Sequence, residues 1–351
     1  MPHPYENLPS RAFWRSAVAA TGPDGMREIS TCRAKLGAEQ VIATAGSCFA
    51  QHIARRLQQR GFNYLDVEPA PSRLPASLHH SFGYGLFSAR YGNVYTSAQL
   101  LQLLLRATGK FVPTERVWET GGRWFDPFRP SIEPNGFASE AEALASQDSH
   151  LGAVRRMMKQ MDMFIFTLGL TETWRSREDG AVYPVCPGVA AGRFDPERHE
   201  FVNLDYEAVL RDMARAMAIL RRTRPSLRVL LTVSPVPLTA TASGDHVLSA
   251  TTYSKSVLRA VAGRLTALHD WVDYFPSYEL VTAPVFGGRA YEANMRQVAS
   301  TGVDFVMGTF LREFCEGGEA LAAPPPSPRS VVAAKDDDTV CDEAALEFYA
   351  K

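Results

Sequence analysis

A chain of 351 residues with 46% hydrophobic and 21% charged residues has the composition of an ordinary globular protein, and its length admits one large α/β domain with insertions. A formal net charge of −1 gives no electrostatic footprint for nucleic acid or for a polybasic membrane surface. No apolar run approaches the roughly 18 to 20 residues of a membrane span. The five cysteines, Cys32, Cys48, Cys186, Cys315 and Cys341, form neither a CxxC zinc pattern nor a disulfide framework. With no basic start or apolar core in residues 1–9, the expectation is a cytoplasmic protein with free thiols.

In chain order, Val41-Ile42-Ala43 reads as a strand that stops at Gly46-Ser47-Cys48. The register then turns helical at once, with Phe49, Ile53 and Leu57 four residues apart. Residues 61–65 read as a second strand, and residues 79–93 are aromatic and glycine-rich without a clear period. A helix is expected over 97–105, capped by Thr96 or Ser97. Residues 117–134 suggest an inserted loop or small hairpin. A helix over 139–160 is followed by a strand over 163–168 that ends at Gly169. Residues 184–203 form another irregular insertion. Further on come a helix over 205–222, a strand over 227–233, a helix over 251–269 and a short strand over 271–275 that stops at Pro276. This alternation predicts a parallel sheet covered on both faces. From about residue 316 the composition turns to Gly, Ala, Pro, Ser and Asp, so a domain over 1–317 and a disordered tail over 318–351 are expected.

In open α/β sheets the site lies outside the carboxyl ends of the strands. The first such end supplies Ser47 and Cys48, and the next supplies Gly169, Thr171 and Glu172. The third leads to a loop carrying Asp245 and His246, and the last leads to residues 289–297. A thiol at a helix start has its thiolate stabilised, and the same N–H groups can hold an oxyanion. Nucleophile, base and oxyanion donors are the inventory of acyl transfer. The plain alternatives are a small buried thiol at Cys48 and a turn or cap residue at Ser47. Neither a glycine-rich phosphate cradle nor metal-ligand spacing occurs, so no cofactor and no metal are expected.

Gly46-Ser47-Cys48-Phe49-Ala50 spells the motif of the GSCFA domain proteins, which are similar to SGNH/GDSL hydrolases and to polysaccharide O-acetyltransferases. Segments 8–14, 167–172, 232–236 and 274–279 carry the same resemblance in order, over most of residues 1–315. It implies a flavodoxin-like, three-layer αβα fold. It places Cys48 at the nucleophile position and Thr171 at that of an oxyanion asparagine. Where related hydrolases carry an Asp-x-x-His pair, this chain has Asn294 and Gln297, neither of which takes a proton near neutral pH.

The base is then expected from His246, or the thiolate needs less help, or the site only binds. His52, one helical turn beyond Cys48, is a further candidate. The expected function is hydrolysis or transfer of an acyl group on a carbohydrate or other hydroxylated small molecule, with an acyl donor as a further partner. The alternative is an inactive module that binds a glycan or a protein.

Overall fold

The computed structural model describes residues 3–322 and 339–350. Four strands form the central sheet: β1 (Ile42–Gly46), β4 (Met163–Leu168), β8 (Arg228–Val233) and β9 (Val272–Phe275), adjacent in that order. All three pairings are parallel. Gly46 lies opposite Thr167, Leu168 opposite Val233 and Thr232 opposite Phe275, so the four carboxyl ends share one edge.

The period of two along each strand divides the core between two faces. Ala43, Ala45, Phe164, Phe166, Leu168, Val229, Leu231 and Val233 point into one layer, with α3 (Ser97–Ala107), α4 (Glu140–Gln160), α5 (Tyr206–Thr223) and α6 (Val247–Leu268). Ile42, Met163, Ile165, Leu230 and Phe275 point into the other, with α2 (Ala50–Gln59), α7 (Ser277–Thr282) and α8 (Ser300–Phe314). This is the expected three-layer αβα arrangement. Side chains cap four of the long helices: Thr96 with Gln99 in a capping box, Ser139 at α4, Asp205 at α5 and His246 at α6. A short α1 (Gly22–Gly25) precedes the sheet.

Two small antiparallel units decorate the core. The hairpin of β2 (Trp118–Thr120) and β3 (Arg123–Phe125) fills the first insertion. The second sheet has the order β6-β5-β7, from Val182–Tyr183, Glu172–Ser176 and His199–Asn203. Because β5 begins four residues after β4 ends, this sheet rises directly from the carboxyl edge.

Two expectations change. Residues 61–65 make only a single bridge, Tyr64 to Ile42, because the edge of β1 is shared. Beyond it the amide of Thr44 donates to Ser88 Oγ at 3.0 Å, and Val94 N donates to the Gly46 carbonyl at 2.9 Å. The second change concerns the carboxyl-terminal segment. Gly318–Ala322 forms α9 against α8, and residues 339–350 return to the carboxyl edge of the sheet, where Asp342–Tyr349 forms a 3-10 helix. Polar partners order this piece where apolar area would not suffice. Residues 323–338, the proline-rich part of the expected tail, lie outside the described residues.

Gly46 has φ +139°, and a Cβ there would lie 2.4 Å from the Thr167 carbonyl oxygen. Both the backbone conformation and the contact exclude a side chain. Gly46→Ala is expected to cost about 3 kcal/mol or more. A urea or thermal unfolding curve checks this, and an unchanged midpoint would refute it.

Candidate active site

The chain leaves β1 at Gly46 and enters α2 without a loop. Ser47 N donates to the Thr167 carbonyl at 3.1 Å, while Ala50 N and Gln51 N bond back to the carbonyls of Ser47 and Cys48. Cys48 is thereby fixed at the carboxyl edge, at the start of α2, and buried. The Ser47 hydroxyl is also buried and has no hydrogen-bond partner among the described residues. Its Cβ packs against Gly169, where an added Cβ would stand 3.1 Å away.

The returning segment 339–350 lies over Cys48. Gln51, one turn along α2, holds Val340 on both sides: its amide donates to the Val340 carbonyl at 2.9 Å and its carbonyl accepts from Val340 N at 3.1 Å. Asn93 Nδ2 donates to the same carbonyl at 3.0 Å and to Asp342 Oδ2 at 2.8 Å. Asp342 N donates to the Tyr95 hydroxyl at 3.1 Å, and Ser131 donates to the Asp342 carboxylate. These bonds set Cys341 beside Cys48, near enough for the two thiols to shift each other's ionisation.

Two further donors converge on the Cys341 sulfur, the Tyr95 hydroxyl and Arg296 Nη2, each at 3.7 Å. Arg296 also pairs with Glu343 at 3.5 Å. The neighbouring Cys48 and the Arg296 charge hold the Cys341 thiol below its ordinary range, and Cys341 with burial pushes Cys48 up. With Arg296 and Tyr95 both on its sulfur, Cys341 is the one of the pair favoured to carry the charge.

A buried amine completes the cluster. Lys255 on α6 donates from Nζ to the Gly169 carbonyl at 2.7 Å, and its neighbour Ser254 accepts from Thr171 N at 3.0 Å. Burial pulls the Lys255 amine down to about 8, against the opposing fields of Glu343 and Cys48. Burial and the Cys341 charge push the Glu343 carboxyl up to about 8.

The residues singled out by sequence fall into three groups. Cys48, Ser47, Gly169 and Thr171 are brought together at the edge. The N–H of Gly169 donates to the Tyr95 carbonyl at 2.9 Å and that of Thr171 to Ser254, so both are engaged within the scaffold. The Thr171 hydroxyl donates to Asn203 Oδ1 at 2.7 Å. Glu172 accepts from Thr241 at 2.7 Å and lines a cavity of about 300 Å³ with Leu170, Trp174, Cys186, Glu343 and Tyr349.

His246, Asn294, Gln297 and His52 find their partners away from the Cys48 thiol. His246 caps the exposed start of α6, its Nδ1 accepting from Leu248 N at 3.2 Å. Asn294 and Gln297 bond to each other at 2.8 Å in an exposed turn, and Met295 between them adopts φ +54°. This turn places Arg296, rather than Asn294 or Gln297, toward Cys341. The His52 ring lies edge-on to Phe49, 5.4 Å between centroids, and burial pulls it down to about 4.

Sequence reasoning passed over Gln51, Asn93, Lys255, Arg296, Cys341 and Glu343. Two of these carried a signal. Gln51 is three residues beyond Cys48, on the same helical face. Lys255 falls on the apolar face of α6, three residues before Leu258 and seven before Ala262.

Among the described residues, no group of three or more His, Cys, Asp or Glu side chains could hold a metal ion, and no helix is long and apolar enough to cross a membrane. The family model described as GSCFA matches residues 41–310. A solved carbohydrate esterase of family 3 from Talaromyces cellulolyticus is similar at 13% identity and a TM-score of 0.27, covering 61% of this chain and 87% of its own. No curated protein matches this sequence.

Deleting residues 339–351 removes the cover over Cys48 and the thiolate that raises its pKa. Alkylation of Cys48 by iodoacetamide is expected to accelerate by roughly tenfold or more, as a buried thiol becomes an exposed, more ionised one. Peptide mass mapping against time measures the rate. An unchanged rate would show that the segment does not shield the thiol.

Proposed function

We propose, from the premise that this chain belongs to the GSCFA family, that it hydrolyses or transfers an acyl group through a thioester on Cys48. The substrate class is an O-acyl ester of a carbohydrate or another hydroxylated small molecule. One observation carries the reading: the fully buried amine of Lys255 is held on the Gly169 carbonyl at the same carboxyl edge as Cys48 and feels its charge, beside a pocket in which Arg296 and Tyr95 converge on a sulfur.

The chemistry follows from these groups. A Lys255 amine at about 8 is neutral in a useful fraction near neutral pH and takes the Cys48 proton. The thiolate attacks the acyl carbon, a C–S bond forms, and the carbonyl electron pair moves onto oxygen. With the segment 339–350 withdrawn, Tyr95 and Arg296 face that oxyanion in place of the Cys341 sulfur. Collapse breaks the C–O bond, and the departing alkoxide takes its proton back from Lys255. Water or an acceptor hydroxyl, deprotonated by Lys255, then attacks the thioester and frees Cys48. The groove beside Glu172 and Trp174, walled in part by Glu343 and Tyr349 of the segment, opens when 339–350 withdraws and offers room for a sugar-sized group.

A second reading, a binding module, is favoured by the peptide seat itself, since Gln51, Asn93 and Tyr95 hold backbone groups of the 339–350 segment. The two readings separate on an activated aryl acetate, with turnover followed by absorbance and acetyl-Cys48 by intact mass. Cys48→Ala is expected to abolish turnover, and Lys255→Met to lower it by roughly 100- to 10,000-fold. Arg296→Met is expected to cost roughly 100-fold or more as an oxyanion donor is lost. His246→Ala is expected to leave the rate within a factor of about two, because its ring caps α6 in solvent. Full turnover in Cys48→Ala would refute the acyl-enzyme.

The pH dependence has a definite sign. The base is active when the Lys255 amine is unprotonated, so kcat/KM is expected to rise with pH and level off above about 8. A profile that falls over that range would exclude Lys255 as the proton acceptor.

A further inference from the structure

Cys48 and Cys341 are the only cysteines placed side by side at the carboxyl edge of the sheet among the described residues, and their exposures differ. Cys48 is buried, whereas Cys341 is partly open to solvent. The backbone on both sides of Cys341 is clamped, Val340 by Gln51 and Asn93, and Asp342 by Asn93 and Tyr95. The Arg296 guanidinium and the Tyr95 hydroxyl converge on its sulfur. A thiolate stabilised by a guanidinium and reachable from solvent is the kind that reduces hydroperoxides, and a second thiol nearby, here Cys48 three residues before the Gln51 that holds Val340, is what resolves the product.

We propose that Cys341 and Cys48 form a reversible intramolecular disulfide on exposure to a hydroperoxide, which bolts the segment 339–350 over the site and withdraws the nucleophile. The proposal deepens the acyl-transfer reading and, for its effect on turnover, rests on it.

The steps balance with the hydroperoxide as oxidant. The Cys341 thiolate attacks one peroxide oxygen, an S–O bond forms and the O–O bond breaks. When the oxidant is hydrogen peroxide the departing oxygen leaves as hydroxide and takes up from solvent the proton that Cys341 lost on ionising, giving water, and sulfur is oxidised by two electrons to a sulfenic acid. Cys48 then attacks the Cys341 sulfur, an S–S bond forms and the S–O bond breaks. The hydroxide leaves as water with the proton from Cys48. Two thiols and one hydrogen peroxide give one disulfide and two waters. A dithiol returns both cysteines by exchange.

The ordered segment also accounts for why this pair, rather than another, would close. Cys315 is fully buried, bridged in the backbone to Leu36, and its thiol is pushed by burial up to about 12. Cys186 lies in the wall of the adjoining cavity with its thiol pushed by burial up to about 11. Neither is a thiolate near neutral pH, so neither competes for the peroxide.

The experiment treats the reduced full-length protein with hydrogen peroxide, blocks residual thiols with an alkylating agent and digests with trypsin without reduction. The expected result is a linked pair of peptides, 36–55 and 336–351, lost on adding dithiothreitol and absent from Cys341→Ser and from Cys48→Ser. The intact protein stays monomeric on a non-reducing gel and is lighter by two hydrogens. Far-UV circular dichroism of both variants establishes that they fold.

Turnover of the aryl acetate is expected to fall at least tenfold on oxidation and to return with dithiothreitol. A linked pair in a protein whose reduced form has no turnover would keep the couple and overturn the acyl-transfer reading. Turnover that depends on Cys48, with no linked pair at any peroxide dose, would overturn the couple alone. A covalent dimer joined through these cysteines would also overturn it, because the bond would then lie between chains.

Discussion

The close approach of β1 to β4 at Gly46 is the constraint on which the site depends. A glycine is required there because the Thr167 carbonyl occupies the place of a Cβ and because φ is +139°. The next residue still bonds to β4 through its N–H, and the one after that already opens the first turn of α2. No loop intervenes in which Cys48 could drift. Its position is therefore as firm as that of the sheet, and the partners that meet it come from elements anchored in the same way. Gly169 follows β4 directly, and Lys255 and Ser254 reach that turn from α6.

Electrostatics then decides what the edge will hold. Lys255 is fully buried and Arg296 is largely so, and a buried charge without a partner is costly. The segment 339–350 answers that demand chiefly with the Cys341 sulfur, and sets the Glu343 carboxyl 3.5 Å from Arg296. This is how a short piece with few large apolar residues becomes ordered on the core. Its seat is made of amide, hydroxyl and guanidinium groups, and its own charge matches theirs. The same imbalance would serve the proposed acyl chemistry. When the segment leaves, Arg296 and Tyr95 face solvent with no anion between them, and a developing oxyanion is the group that restores the balance.

Much of the fold was legible in the sequence because it rests on short-range patterns. The four central strands and the helices between them follow from periods of two and 3.6, from caps such as Thr96 and Ser139, and from stops such as Gly169 and Pro276. The edge segment at 61–65 was misread as a strand because its pattern is that of one. The chain supplies competing partners, Ser88 and Val94, from more than twenty residues away. Of the site, the motif exposed Cys48, and the strand ends exposed Gly169 and Thr171. Cys341 was hidden by its surroundings, since a compositional rule averages over a window and cannot see that three side chains on the core fit one particular tetrapeptide. Arg296 was hidden by its neighbours, as attention fell on Asn294 and Gln297 in the place of an acid and a base.

That last substitution is informative about how the site is built. Asn294 and Gln297 are joined in a turn whose left-handed Met295 sends Arg296 inward. On the correspondence that the resemblance implies, a pair that only shapes the backbone stands where a titrating pair would, and the charge it delivers is permanently positive. A permanent cation cannot take the proton of a nucleophile, so the base has to come from elsewhere in the fold. In the proposed mechanism that base is the amine of Lys255, lowered by burial and held by the Gly169 carbonyl, on α6 rather than after β9. Proton transfer and anion binding would then be divided between two elements. Because the anion-binding half does not depend on pH, it can also hold a thiolate, and that is the property that lets Cys341 rest in the place where a substrate oxygen would otherwise lie.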